Sequence, residues 1–279
     1  MDERKAVHVI ITRFSFHLNP QKPDPNLLST ERLTRRFELF ETFCYPSIMS
    51  QTNRDFVWMI LIDPALPEPF RERLERLSAK MPLIQTYVIP WTHEYRLHDP
   101  RWIQKVLPLD ITYLITTRLD DDDALSQSFV ETVRNDFKHT EIRDLMLLTY
   151  PQGYVWQSSG GSKSGRLYPL RQPLIAIGLT LIANLALCPL TIFFGNHTHL
   201  IKFLQNPMSC PALKDLHLPH SSDRYQIRET RPMYIRSVHD TNDQKNIRVH
   251  TKVVARSDPA FHLNYSNLCQ LNFKLRKIH

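Results

Sequence analysis

The apolar run at 111–119 (ITYLITTRL) passes without a break into Asp120-Asp121-Asp122-Asp123. A strand-like segment that ends on four carboxylates constrains the fold more than any other feature of the chain. Like charges gathered at one strand end repel one another, and they are tolerated where a cation or a set of basic side chains offsets them. A solvated acidic turn, with Asp122 or Asp123 capping a following helix, is the alternative reading. Capping needs one aspartate, whereas this sequence places four directly after an apolar strand.

The residues before that point alternate between strand-like and helix-like runs, the pattern of an α/β sheet with largely parallel strands. A strand is expected over 7–12. Leu33, Phe37, Phe40 and Cys44 then recur at helical spacing, with Ser29 or Thr30 available as N-cap. A second strand over 56–62 stops at Asp63-Pro64, because proline cannot continue the ladder. Phe70, Leu74 and Leu77 mark a second helix, with Glu72 and Arg76 paired on its outer face. Residues 87–89 supply a third strand and 111–119 a fourth, and Phe129, Val133 and Phe137 mark the helix after the aspartates. In open α/β sheets, ligands bind outside the carboxyl ends of the strands, which is where Asp63 and Asp120–Asp123 fall. The fold class expected is α/β, one domain over 1–279 with a mixed, mostly parallel central sheet flanked by helices. Two halves, 1–125 and 126–245, and a basic C-terminal extension, 246–279, are expected within it.

Charge and length set the partners. The chain has 279 residues, 42% hydrophobic, with 35 Lys+Arg against 28 Asp+Glu, so it can bury a core and carries +7 toward an anionic partner. Cys44, Cys188, Cys210 and Cys269 are widely spaced and form no CxxC pair, which favours a reducing, cytoplasmic setting. The nearly uncharged segment at 173–194 is long enough to span a bilayer, but Gly178, Asn184 and Pro189 interrupt it, and two buried strands joined by a turn fit it as well. Four of the 6 glycines fall between Gly153 and Gly165, which suggests a mobile lid there.

Several segments together resemble the putative rhamnosyltransferase family, glycosyltransferases of the GT-A fold with a DxD motif. They are Ile11-Thr12-Arg13-Phe14, Pro46 to Gln51 with Asp55 to Trp58 ahead of Asp63, and Thr117 to Leu125 around the aspartates; a fainter match covers Arg231 to Asn242. The resemblance implies that Thr12 and Arg13 line a nucleotide pocket, that Asp63 contacts base or ribose, and that Asp120, Asp121 and Arg118 contact the nucleotide sugar. Asp120 and Asp122 would bind Mn2+ or Mg2+, with His239 as a further ligand. Tyr234 and Asp240 stand where members usually carry Trp and Gly.

The implied reaction moves a sugar, rhamnose by the family's name, from a nucleotide diphosphate donor to a glycan or glycolipid acceptor. No nucleic acid takes part, and peripheral membrane association stays open. Arg13, Arg118, Lys163 and Arg166 are candidates to neutralise the diphosphate. Asp223 is the first choice for the general base, with Asp123 and Glu94 behind it. Trp156 could stack on an acceptor sugar or pack in the core. Two other readings are a metal-dependent phosphodiesterase or nuclease, which would recruit His217, His220 and His239 to a second metal, and a binding module without turnover.

Overall fold

The computed structural model describes residues 5–16, 24–80, 83–107, 110–158, 165–216, 218, 221, 223–238 and 261–262. The strands in chain order are β1 (Ala6–Phe14), β2 (Val57–Ile62), β3 (Gln85–Pro90), β4 (Tyr113–Asp120), β5 (Ala124–Leu125), β6 (Leu145–Thr149), β7 (Gln152–Ser158), β8 (Gly165–Arg171), β9 (Thr180–Asn184), β10 (Tyr225–Ile227), β11 (Tyr234–Val238) and β12 (Phe261–His262). The α-helices are α1 (Thr30–Leu39), α2 (Tyr45–Met49), α3 (Glu68–Ala79), α4 (Arg101–Gln104), α5 (Phe129–His139) and α6 (Leu200–Gln205).

Among the described residues, seven strands form the central sheet in the order β10-β6-β9-β4-β1-β2-β3. All run parallel except β9, which is antiparallel to both β4 and β6. This is the expected mixed, mostly parallel α/β sheet. Both of its faces are covered, which explains why β2 reads as an unbroken apolar run (VWMILI) with every residue buried. On one face Ile10, Phe14, Trp58, Ile60, Ile115 and Leu119 pack with Leu33 and Phe37 of α1, Leu74 of α3 and Phe129 of α5. On the other, Val9, Ile11, Met59 and Leu114 pack with Trp102 and Ile103 of α4.

Ser29 caps α1, accepting from the Arg32 N–H at 3.4 Å, as its sequence position predicts. The helical run does not continue as regular α-helix through Cys44, because a π-helical turn at Phe40–Cys44 intervenes before α2. The aspartates do not cap α5, which starts only at Phe129; the two-residue strand β5 separates them and joins a second sheet, β12-β8-β7-β11-β5. The segment at 173–194 contributes one strand, β9, and not two. The residues after it, including Cys188, Leu190, Ile192 and Phe194, pack as irregular chain against Leu145, Leu147 and α6. No helix among the described residues is long and apolar enough to cross a membrane. The glycine-rich stretch connects the antiparallel pair β7 and β8, whose register runs to Ser158 opposite Gly165; residues 159–164 lie outside the described residues. Cys44, Cys188 and Cys210 are buried free thiols.

Candidate functional site

The parallel register of β1 and β4 sets Arg13 opposite Asp120. Side chains on a strand alternate between faces, so Arg118 and Asp120 share a face with Leu114, and Arg13 continues the face of Val9 and Ile11. The three side chains meet there. Asp120 accepts from Arg13 at 3.2 Å and from Arg118 at 3.0 Å, and both guanidinium groups lie over the Phe193 ring, 5.5 and 5.8 Å from its centroid. Burial by itself would push the Asp120 carboxyl up, but the charges and hydrogen bonds of Arg118 and Arg13 hold it well below the usual carboxylate range.

Beyond the strand end the chain turns and the next two carboxylates point the other way, toward α1. Arg36 donates from Nε to Asp121 at 3.1 Å and from a terminal nitrogen to Asp122 at 3.0 Å, and its other terminal nitrogen also binds Asp121. Asp123 accepts the Ser237 N–H at 2.9 Å, because β5 pairs antiparallel with β11 and brings that strand alongside. Burial first, and then the neighbouring charges of Asp122 and Asp120, push the Asp123 carboxyl well above its ordinary value.

These residues line one cleft of about 360 Å3 at the carboxyl ends of β1 and β4. Arg13, Arg32, Arg36, Arg118 and Arg236 project into it beside all four aspartates, while Leu27, Ile175, Ala176 and Ile177 form an apolar wall. His197 stands at the rim; burial, followed by the charge of Arg118, lowers its pKa to about 4, so the ring is neutral at physiological pH. Ser15, directly after β1, lines the cleft with φ of 48°, a left-handed conformation that costs energy without glycine.

Of the residues singled out from sequence, the cleft gathers Arg13, Arg118, Asp120, Asp121, Asp122 and Asp123. Thr12 faces the other way, fully buried, and its hydroxyl accepts the Trp58 indole N–H at 3.0 Å. Asp63 lies at the same sheet edge, at the end of β2, but outside the cleft lining; one carboxylate oxygen accepts the Ala65 N–H at 2.9 Å and shapes the turn there. Asp223 is not brought to this edge. It precedes Arg224, which binds Asp144 just before β6, and Leu145 of β6 is level through β9 with Leu114 at the start of β4. Six residues of strand, roughly 20 Å, separate that level from Asp120.

Glu94 pairs with Lys105 at 2.7 Å and does not line the cleft. Trp156 is buried against Phe43, with ring centroids 4.9 Å apart, so it packs in the core. His239, Lys163, His217 and His220 lie outside the described residues, as does the side chain of Arg166. Sequence reading missed Arg32, Arg36 and Arg236. For the first two a signal was present: Arg32 and Arg36 are four apart on the predicted helix, beside Leu33 and Phe37, so they share one side of it.

The hard carboxylate oxygens of Asp120 and Asp122 are chemically suited to Mn2+ or Mg2+, and the crowding that raises Asp123 is what a cation would relieve. Both carboxylates are held by arginines here, and no group of three or more His, Cys, Asp or Glu side chains with metal-binding geometry occurs among the described residues.

Comparison with solved structures finds similarity at low identity. S. aureus TarS 1-349 in complex with UDP matches at 10% identity and a TM-score of 0.42, over 84% of this chain and 60% of that one. The mannosyltransferase PcManGT from Pyrobaculum calidifontis, in complex with GDP-Man and Mn2+, matches at 12% identity and a TM-score of 0.42, over 86% and 59%. The chain thus spans about three fifths of the length of those structures. No curated protein matches it. The sequence profile of one family, described as "Putative rhamnosyl transferase", matches residues 8–215, well over half of the chain. The chain belongs to that family.

Proposed function

We propose that this protein is a glycosyltransferase that moves a sugar from a nucleoside diphosphate donor to a hydroxyl of a glycan or glycolipid, with rhamnose as the sugar. One observation carries the reading: guanidinium groups from β1, β4, α1 and β11 converge with four aspartates in one cleft at the strand ends. Arginine suits bidentate contact with phosphate oxygens, and pre-positioned positive charge stabilises a diphosphate as it leaves.

In this scheme Arg13 and Arg118 bind the diphosphate, Asp120 and Asp121 meet the ribose and sugar, and Asp63 reads the base or ribose from the end of β2. Asp120 and Asp122 would hold Mn2+ or Mg2+, with His239 as a further ligand, and the ion when bound would neutralise phosphate charge. The acceptor oxygen forms a bond to the anomeric carbon as the bond from that carbon to the phosphate oxygen breaks, and the nucleoside diphosphate departs. A carboxylate must take the acceptor's proton. Asp123 is the best placed for that role, since it lines the cleft and accepts the Ser237 N–H, with no hydrogen bond from an arginine among the described residues.

The test is incubation of the purified protein with dTDP-rhamnose, UDP-sugars and GDP-sugars, with Mn2+, Mg2+ or EDTA, while nucleoside diphosphate release and thermal stabilisation are followed. Release from one donor, increased by an acceptor glycan, is expected. Failure to bind or consume any nucleotide sugar, with hydrolysis of a phosphodiester instead, would overturn the proposal.

A further inference from the structure

Four of the five arginines of the cleft can be matched to the carboxylate that holds them. Arg13 and Arg118 are on Asp120, Arg36 is on Asp121 and Asp122, and Arg32 binds Asp24 at 3.0 Å. Arg236 differs. It lines the same cleft, and its charge acts on Asp123 through space, yet among the described residues its guanidinium makes no hydrogen bond or salt bridge. Its backbone is nonetheless fixed: the β5–β11 ladder pairs Ile235 with Ala124, the β7–β11 ladder pairs Arg236 with Val155, and Ser237 donates to Asp123. Tyr234, two residues earlier, is fully buried and bonded through its hydroxyl to the Pro151 carbonyl at 2.9 Å.

A cation held in place by two ladders, facing a cleft and bonded to no carboxylate among the described residues, is disposed to take an anion from solution. Bidentate guanidinium contacts are the strong, directional form of such binding. We infer that Arg236 is a further binding residue for the diphosphate of the donor, beside Arg13 and Arg118, whose guanidinium groups are shared with Asp120. The inference rests on the nucleoside diphosphate reading above and adds to it a residue on the second sheet. The two sheets thus both contribute to one ligand, with the strand ends of β1 and β4 on one side and β11 on the other.

The experiment is calorimetric titration of inorganic pyrophosphate, UDP, GDP and dTDP into wild-type protein, Arg236→Gln and Arg236→Lys, in EDTA and again in Mn2+. Arg76→Gln, on the exposed face of α3, serves as control. For the probe that wild type binds best, Arg236→Gln should weaken affinity at least ten-fold and Arg236→Lys several-fold, with the control unchanged and the melting temperatures of all variants close to wild type. Should Arg236→Gln not fold, the lysine variant carries the same test, because it keeps the charge and removes the fork. Wild-type affinity in the variants overturns the role of Arg236 alone. Absence of binding by wild type to every diphosphate overturns the nucleoside diphosphate reading and this inference with it.

Discussion

Arg36 and Asp122 are 86 positions apart in sequence and 3.0 Å apart in the fold, and the same guanidinium also holds Asp121. The side chains are 15%, 9% and 1% exposed, so the contact is a largely buried charge cluster that ties α1 to the end of β4. Removing one partner of a buried ion pair leaves charge without compensation and typically costs about 3–5 kcal/mol. Arg36→Ala is therefore expected to lower unfolding free energy by about 3 kcal/mol at pH 7, read from urea melts. Millimolar Mn2+ should recover part of that loss and stabilise the variant more than wild type. Equal stability of the two proteins would show that the aspartates do not depend on Arg36.

Asp63 poses a choice between a turn residue and a ligand. Its carboxylate binds the Ala65 N–H, and loss of a turn hydrogen bond of this kind costs about 1 kcal/mol of stability. If Asp63 also contacts the nucleotide, Asp63→Ala should weaken nucleoside diphosphate binding by about ten-fold, the equivalent of about 1.4 kcal/mol. Calorimetry at saturating Mn2+ separates the two, since a turn residue alone lowers the melting temperature and leaves affinity as it was.

His8 should make stability depend on pH. It is buried in β1, with Nε2 at 2.8 Å from the Thr117 hydroxyl and no hydrogen-bond partner for Nδ1 among the described residues. Burial first, and the charge of Arg134 second, lower its pKa from 6.5 to about 3. The unfolded chain therefore takes up the proton before the native state does. Its contribution is complete above about pH 6.5 and is lost as the pH falls toward about 3, with a slope of at most about 1.4 kcal/mol per pH unit. His8→Leu should flatten the dependence between pH 6.5 and 4.5. An unchanged slope in chemical denaturation across that window would assign it to other groups.

Gly153 is a test of how β11 is held. A Cβ at this position would fall inside contact distance of the Tyr234 ring, which is buried and cannot move aside freely. Gly153→Ala should cost about 1–3 kcal/mol through overpacking. It should also weaken diphosphate binding, because Tyr234 and Arg236 are on the same strand. A destabilised variant with wild-type affinity would separate the packing of Tyr234 from the placement of Arg236.

The sequence alone determined the elements whose periodicity is strong and whose ends are marked. The alternation of apolar runs with helical stripes led to a mostly parallel sheet, Ser29 marked the start of α1, and the aspartates after ITYLITTRL marked the edge that holds the cleft. Only the tertiary structure decided what each carboxylate faces. Asp120, Asp121 and Asp122 are adjacent in sequence, yet a strand end followed by a turn sends the first to Arg13 and Arg118 and the next two to Arg36 on the opposite face. Asp223 and Asp63 are equally acidic in sequence, and register alone puts one near the level of Leu145 and the other at the carboxyl end of β2. Local patterns encode which residues are buried, because burial follows the period of the backbone. Partners 85 to 114 positions away, as Arg36 is from Asp121 and Ser237 from Asp123, depend on strand order and sheet pairing, which no local window contains.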